Sequence, residues 1–281
     1  MTNKYFTVEV KPDIVMGDIS DVYTSGDGVD LQANDLVSDW TAVDVPKGTC
    51  ALHGFIFNVN NVDGSDTVPT SDWGLLFAKA ANGVAPPSIK SNGFGYAATI
   101  TNGGIREHLV GVLRLEASSA QNRVSTIDDF TGFTTYQFGP GSVAQGISST
   151  ANGTQPLPII MDLGDRRAQS TSAGYDKLYV AVVQPIGGHS FETNVLADYS
   201  SGAPADDSTT TIVVDTVDPR LVFGVGDSVY NGTQNNDTAI GVVKSLTANS
   251  IELESNNVGA IVNNDELING NPIRIILGFE K

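Results

Sequence analysis

The sequence predicts an all-β fold: an N-terminal jelly-roll-like β-sandwich over residues 1–200, a linker at 201–208 and a small acidic C-terminal β-barrel over 209–281. Three observations lead there. Nearly every hydrophobic segment is short and alternates with period two, the mark of a half-buried strand. Asn-Gly occurs at Asn82, Asn92, Asn102, Asn152, Asn231 and Asn269, and Asp-Gly at Asp27 and Asp63. These dipeptides tolerate positive φ and favour the hairpin turns that match strand twist. Sustained helical periodicity is missing.

Residues 5–11 set Phe6, Val8 and Val10 against Tyr5, Thr7 and Glu9, a strand with one apolar face. Residues 49–60 form a longer strand with Ala51, His53, Phe55, Phe57 and Val59 expected on one face. Segments 74–80, 111–116, 135–138, 157–163 and 177–183 read as further strands. With roughly eight candidates and loops of uneven length, a two-sheet sandwich fits best. Residues 105–115 have an alternative helical reading, weakened by Gly103-Gly104 before them and Gly111 inside. Residues 139–155 lack an apolar period and read as a long surface loop or an extended arm. Residues 192–199 and 264–268 have room for a helical turn or two.

The linker, Ser201-Gly202-Ala203-Pro204-Ala205-Asp206-Asp207-Ser208, is too small and polar to pack a core. Beyond it the strands are compact. Residues 209–214 form one, and 221–230 another, bent at Gly224 and Gly226 with Asp227 placed to cap the bend. Residues 239–246 and 250–253 pair as a hairpin, and 273–279 are expected to close the barrel. Glycines and bulges let short strands turn barrel corners.

The chain has 281 residues with 15 Lys+Arg against 32 Asp+Glu, a formal net charge of −17. Charged residues are 17% of the whole, so scarce bases drive the imbalance. Coating DNA or RNA needs a basic footprint to displace counterions, so no nucleic-acid partner is expected. The single cysteine, Cys50, excludes an intrachain disulfide and a Cys-based zinc cluster, and reads as a small buried hydrophobe. No secretory core follows Met1, and no apolar run approaches the ~20 residues of a membrane span. The expectation is a soluble protein made in a cytoplasm, with no membrane partner.

No catalytic constellation, cofactor motif or metal site emerges. His53, His108 and His189 have no second His or Cys at ligand spacing, and each reads as structural. Gly141-Ser142-Val143-Ala144 lacks the second glycine of a nucleophile elbow. Gly224-Val225-Gly226-Asp227 begins like a dinucleotide fingerprint but lacks the third glycine and leads into a strand. The Asp/Gly loops at 25–30 and 61–66 faintly resemble calcium turns, the second without a bidentate Glu at the twelfth position, and read first as solvated β-turns. Six aromatics in or beside loop-like stretches, Trp40, Phe94, Tyr96, Phe130, Phe133 and Tyr136, are candidate interface residues, with Phe138 nearby. Aromatics anchor interfaces, but they also plug the ends of sandwiches.

Asp39-Trp40-Thr41-Ala42-Val43-Asp44-Val45-Pro46-Lys47-Gly48 is followed by an apolar strand, then by Trp73-Gly74-Leu75-Leu76-Phe77-Ala78-Lys79 and Asn82-Gly83-Val84-Ala85-Pro86-Pro87-Ser88. This run resembles virion structural proteins of marine cyanobacterial tailed bacteriophages, especially capsid decoration or auxiliary proteins. The resemblance covers about residues 1–200 and rests on strand-and-turn motifs. It implies a non-enzymatic cement bound to the outer surface of a phage head, partnered by the major capsid protein, and a homo-oligomer, with a trimer favoured. Two alternatives stand beside it: a glycan-binding module of a tail or adhesion apparatus, using Trp40, Trp73 and Tyr96, and another head–tail structural component.

Overall fold

The computed structural model describes residues 5–14, 35–46, 48–60, 72–89, 105–115, 123–124, 133–138, 143–145, 154–156, 159–162, 175–185, 191, 195–199, 208–215, 217–232 and 239–281. In chain order the strands are β1 (Tyr5–Val10), β2 (Asp35–Pro46), β3 (Thr49–Asn60), β4 (Trp73–Lys79), β5 (Leu109–Leu115) and β6 (Arg123–Val124). Then follow β7 (Phe133–Phe138), β8 (Val143–Gln145), β9 (Thr154–Pro156), β10 (Ile159–Asp162) and β11 (Tyr175–Gln184). The last are β12 (Thr211–Val213), β13 (Ser228–Asn231), β14 (Gly241–Thr247), β15 (Ser250–Leu253), β16 (Leu267–Asn269) and β17 (Ile273–Glu280). One 3₁₀ turn, Pro219–Leu221, is the helical element named among the described residues.

Two sheets face each other as a sandwich. The first runs β1-β17-β3-β7-β6 with β10 on the start of β3, and the second runs β2-β11-β4-β5-β8-β9. Strand alternation sends every second side chain inward. Leu52, Phe55, Phe57 and Val59 of β3 and Ile273, Ile275, Leu277 and Phe279 of β17 meet Trp73, Leu75 and Phe77 of β4 and Leu178, Val180 and Val182 of β11 in one core. Trp73 is central, its ring 5.5 Å from that of Phe57 and 6.2 Å from that of Phe191, both tilted. β4 carries apolar residues on both faces because its back is also covered: Leu76 joins Leu36, Ile89, Ile105 and Ala181 in a second, outer cluster.

Several expectations change here. Residues 273–279, expected to close the small barrel, form β17 inside the sandwich, antiparallel to β1 from Tyr5↔Glu280 to Val10↔Ile275 and to β3 from Ile273↔Val59 onward. An alternating strand specifies its faces but not its partner, and the inward faces of β1 and β3 fit β17 better. The small unit is thus an insertion between β11 and β17. Its own sheet, β12-β15-β14-β13-β16, is open and not a closed barrel. Residues 195–199, where helix was considered, run extended between its two edges. The Ala197 amide donates to Asp265 O at 2.9 Å and that of Asp198 to Val213 O at 2.8 Å.

On β3, the expected face is broken. Gly278 opposes Gly54, but the next partner of Phe279 is Leu52, a register shift that slips His53 to the outer side while Phe55, Phe57 and Val59 stay inward. The possible helix at 105–115 is a short turn followed by β5, and that at 264–268 is a turn at Asn264, φ 63°, leading into β16. Within 139–155, β8 and β9 pair and extend the second sheet's edge through Gln145 opposite Arg114. The 239–253 hairpin forms as β14 and β15, and Asp227 does cap its bend, accepting the Gly224 amide at 2.8 Å. The linker at 201–207 lies outside the described residues.

Candidate functional site

The outer apolar cluster of the second sheet gathers residues of β2, β4, β5, β11 and the segments at 89 and 105. β2 supplies Leu36 and Trp40, β4 supplies Leu76, and the strap 81–89 folds back over them through Ile89. The strap starts with a two-residue turn. Ala81 and Val84 exchange amide-to-carbonyl bonds of 2.9 and 3.0 Å around Asn82 and Gly83, both at positive φ, 55° and 78°. Its far end is pinned to β2: the Trp40 indole N–H donates to Pro87 O at 2.9 Å, Ile89 N–H to Asp39 Oδ1 at 3.2 Å, and the Ser88 hydroxyl to Asp39 Oδ2. Trp40 is therefore a half-buried support beneath the strap. What the strap itself presents outward is Val84, 63% exposed, beside exposed Ala85.

Phe133, Tyr136 and Phe138 stand on β7, opposite Asn60, Phe57 and Phe55 of β3, in the strand expected at 135–138, which begins two residues earlier. Trp40, on β2, belongs to the second sheet. Phe94, Tyr96 and Phe130 lie outside the described residues, as do His189 and the Asp/Gly loops at 25–30 and 61–66. Trp73 is fully buried, which removes it as a sugar-stacking ring. His53 sets Nε2 2.5 Å from Glu280 Oε2, and His108 is buried with Nδ1 2.9 Å from Lys79 O. Burial pushes the Cys50 thiol up to about 11. Among the described residues, no three His, Cys, Asp or Glu side chains cluster as a metal site, and no helix is long and apolar enough to cross a membrane.

Two concavities lie on the outer side of the first sheet and at its junction with the small unit. The first is an open groove of about 580 Å³ walled by Tyr5, Thr7, His53, Ile56 and Ile276. Its floor is backbone, because Gly54 and Gly278 face each other, and a Cβ on Gly278 would lie 3.3 Å from Gly54 O. The second is a cleft of about 360 Å³ whose lining includes Lys11, Asn58, Arg220, Asp227, Asn271 and Arg274.

Beside that cleft lies the most organised polar cluster in the described chain. Asp227, buried, accepts from Lys11 Nζ at 3.2 Å on Oδ1, and on Oδ2 from Gly224 N–H at 2.8 Å and Asn269 Nδ2 at 3.0 Å. Asn269 Nδ2 also donates to Val222 O at 2.7 Å, while its Oδ1 accepts the Asn271 amide at 2.7 Å. Asn271 returns to the first strand's extension, donating to Asp13 Oδ1 at 2.5 Å and Pro12 O at 3.3 Å. Arg274 Nε reaches Glu9 Oε1 at 2.6 Å, and this bond holds the Glu9 carboxyl below the usual carboxylate range. Sequence reasoning placed Asp227 as a cap but missed the cluster, since Lys11 lies 216 residues away.

No protein-family model matches the chain, and no curated protein does. Among solved structures it is similar to those of infectious bursal disease virus, Gx strain and Gt strain, each at 9% identity over the whole chain. The TM-scores are 0.16 and 0.11, too low to carry a structural argument, and the chain spans 42% and 40% of those chains.

Proposed function

We propose that this chain is a capsid decoration, or cement, protein: a non-enzymatic virion part that docks on the outside of a tailed-phage head and reinforces contacts between major capsid proteins. The observation that carries the reading is the outer cluster. The three sequence segments that resemble decoration proteins, 39–48, 73–79 and 82–88, converge on one substructure, with Trp40 pinned beneath the strap and Val84 at its tip. In this reading the sandwich is jelly-roll-like, and the protein assembles as a homotrimer made in the host cytoplasm. It works through broad noncovalent contact, where each apolar Å² buried contributes roughly 25 cal/mol before association costs. An acidic exterior repels released DNA and neighbouring particles. The rival glycan-binding reading loses Trp73, which is core; Trp40 is half-buried with its indole N–H bonded to Pro87 O, and Tyr96 lies outside the described residues.

The test is reconstitution. Purified protein added to heads stripped of it should rebind and raise their tolerance to heat and shear. Heads that neither bind it nor gain stability overturn the proposal.

A further inference from the structure

We propose that Lys11 and Asn269 become joined by an isopeptide bond, with Asp227 as the proton-transferring catalyst. A reaction of this kind needs an amine, a carboxamide, a carboxylate touching both, and a donor for the oxygen that gains charge. All four are present. The Asp227 carboxylate bridges the two reactants, Oδ1 to Lys11 Nζ at 3.2 Å and Oδ2 to Asn269 Nδ2 at 3.0 Å. The Asn271 backbone N–H lies 2.7 Å from Asn269 Oδ1, where the tetrahedral intermediate's negative charge develops. Asp227 and Asn269 are both buried, and the Val222 carbonyl fixes the amide plane from its other side.

The step balances without any oxidant. Asp227 takes a proton from the Lys11 ammonium, and the freed amine attacks Asn269 Cγ, forming the N–C bond. Asp227 then passes that proton to Nδ2, the Cγ–Nδ2 bond breaks, and the intermediate gives up the attacking nitrogen's remaining extra proton, so nitrogen leaves as ammonium. The carboxylate is regenerated. Because both reactants sit on one folded scaffold, the reaction is intramolecular and follows folding. The product ties the first strand of the sandwich to the last strand of the inserted unit. It would be a covalent staple in a chain whose single cysteine allows no intrachain disulfide.

The test is intact-mass and peptide mass spectrometry of the full chain, aged after purification, beside Lys11→Arg. That variant keeps the positive charge on a partly exposed side chain but supplies no nucleophilic amine. The expected result is a wild-type mass short of the sequence mass by one ammonia, and a branched peptide joining Lys11 to Asn269. Lys11→Arg should keep its full sequence mass, and the wild-type conversion rate should not depend on protein concentration. A wild type that stays at full mass, with both peptides recovered linear, overturns the proposal. So does an ammonia loss that persists in Lys11→Arg and that peptide mapping places at Asn269, since that would be cyclisation of Asn269 onto Gly270.

Discussion

In the sandwich, Trp73, Phe55, Phe57, Phe77 and Phe279 are among the largest fully buried side chains. The inserted unit has a core of Val, Ile and Leu in which Phe223 alone brings a ring among the buried members. Its buried polar residues are instead numerous: Asp227, Asn231, Asn257, Asp265 and Asn269. Strand length explains the contrast. Long strands such as β2, β3 and β11 satisfy their backbones in ladders and leave a wide slab for rings. Short strands leave many turn amides, and each needs a partner. Asn257 Oδ1 accepts from Ser208 N–H at 3.0 Å and Thr209 N–H at 2.9 Å, and Asp265 Oδ2 from Val262 N–H and Asn231 Nδ2, both at 2.7 Å. One region is held mainly by volume, the other by directional bonds.

Substitutions break that contrast in order of size. Trp73→Ala empties the centre of the aromatic core and should cost about 3–5 kcal/mol, read as a lower denaturant midpoint. Asp265→Ala strips two donors of their acceptor and should cost about 2 kcal/mol. Hydrogen exchange should quicken first around 231 and 262, with β3 and β4 little changed. Gly270→Ala sets a Cβ 2.4 Å from the Tyr230 ring, an overpacking worth about 1–2 kcal/mol, visible as a lower Tm.

The smallest effect is a titration on the sandwich surface. Arg274 lowers the Glu9 pKa in the fold, so the pair's contribution is complete above the carboxylate's unfolded value and is lost as pH falls through the folded one. The two side chains are exposed and screened, so the loss should be no more than about 0.5 kcal/mol. Glu9→Gln should lower stability near neutral pH by up to that amount, leave it unchanged in acid where the carboxyl is already protonated, and so flatten the acid limb of a Tm-against-pH curve. A larger change would mean that this edge is held by charge more than by β1–β17 pairing.

Local pattern made most strands legible. Alternation marked β1, β11 and β17, a short apolar run marked β4, and the Thr247-Ala248-Asn249 turn marked the β14–β15 hairpin. What alternation omits is the partner, which is why β17 was expected in the small unit and is found between β1 and β3. It also omits bulges: the shift at Gly54 reverses the face of His53 and leaves Phe55 inward. Asn264 at positive φ stops a helix that composition alone permits. The strap's support by Trp40 rests on bonds spanning 47 and 50 residues, and the junction cluster on bonds spanning 42 and 216, separations at which spacing rules say nothing.

The central claim is that this chain is an adhesive part of a virus shell, and counting copies tests it most directly. Quantitative mass spectrometry of purified particles should find the chain in a number commensurate with the major capsid protein, and stripping it should leave intact but weaker heads. Its absence from particles, or a ring-sized handful of copies per particle, would contradict the account.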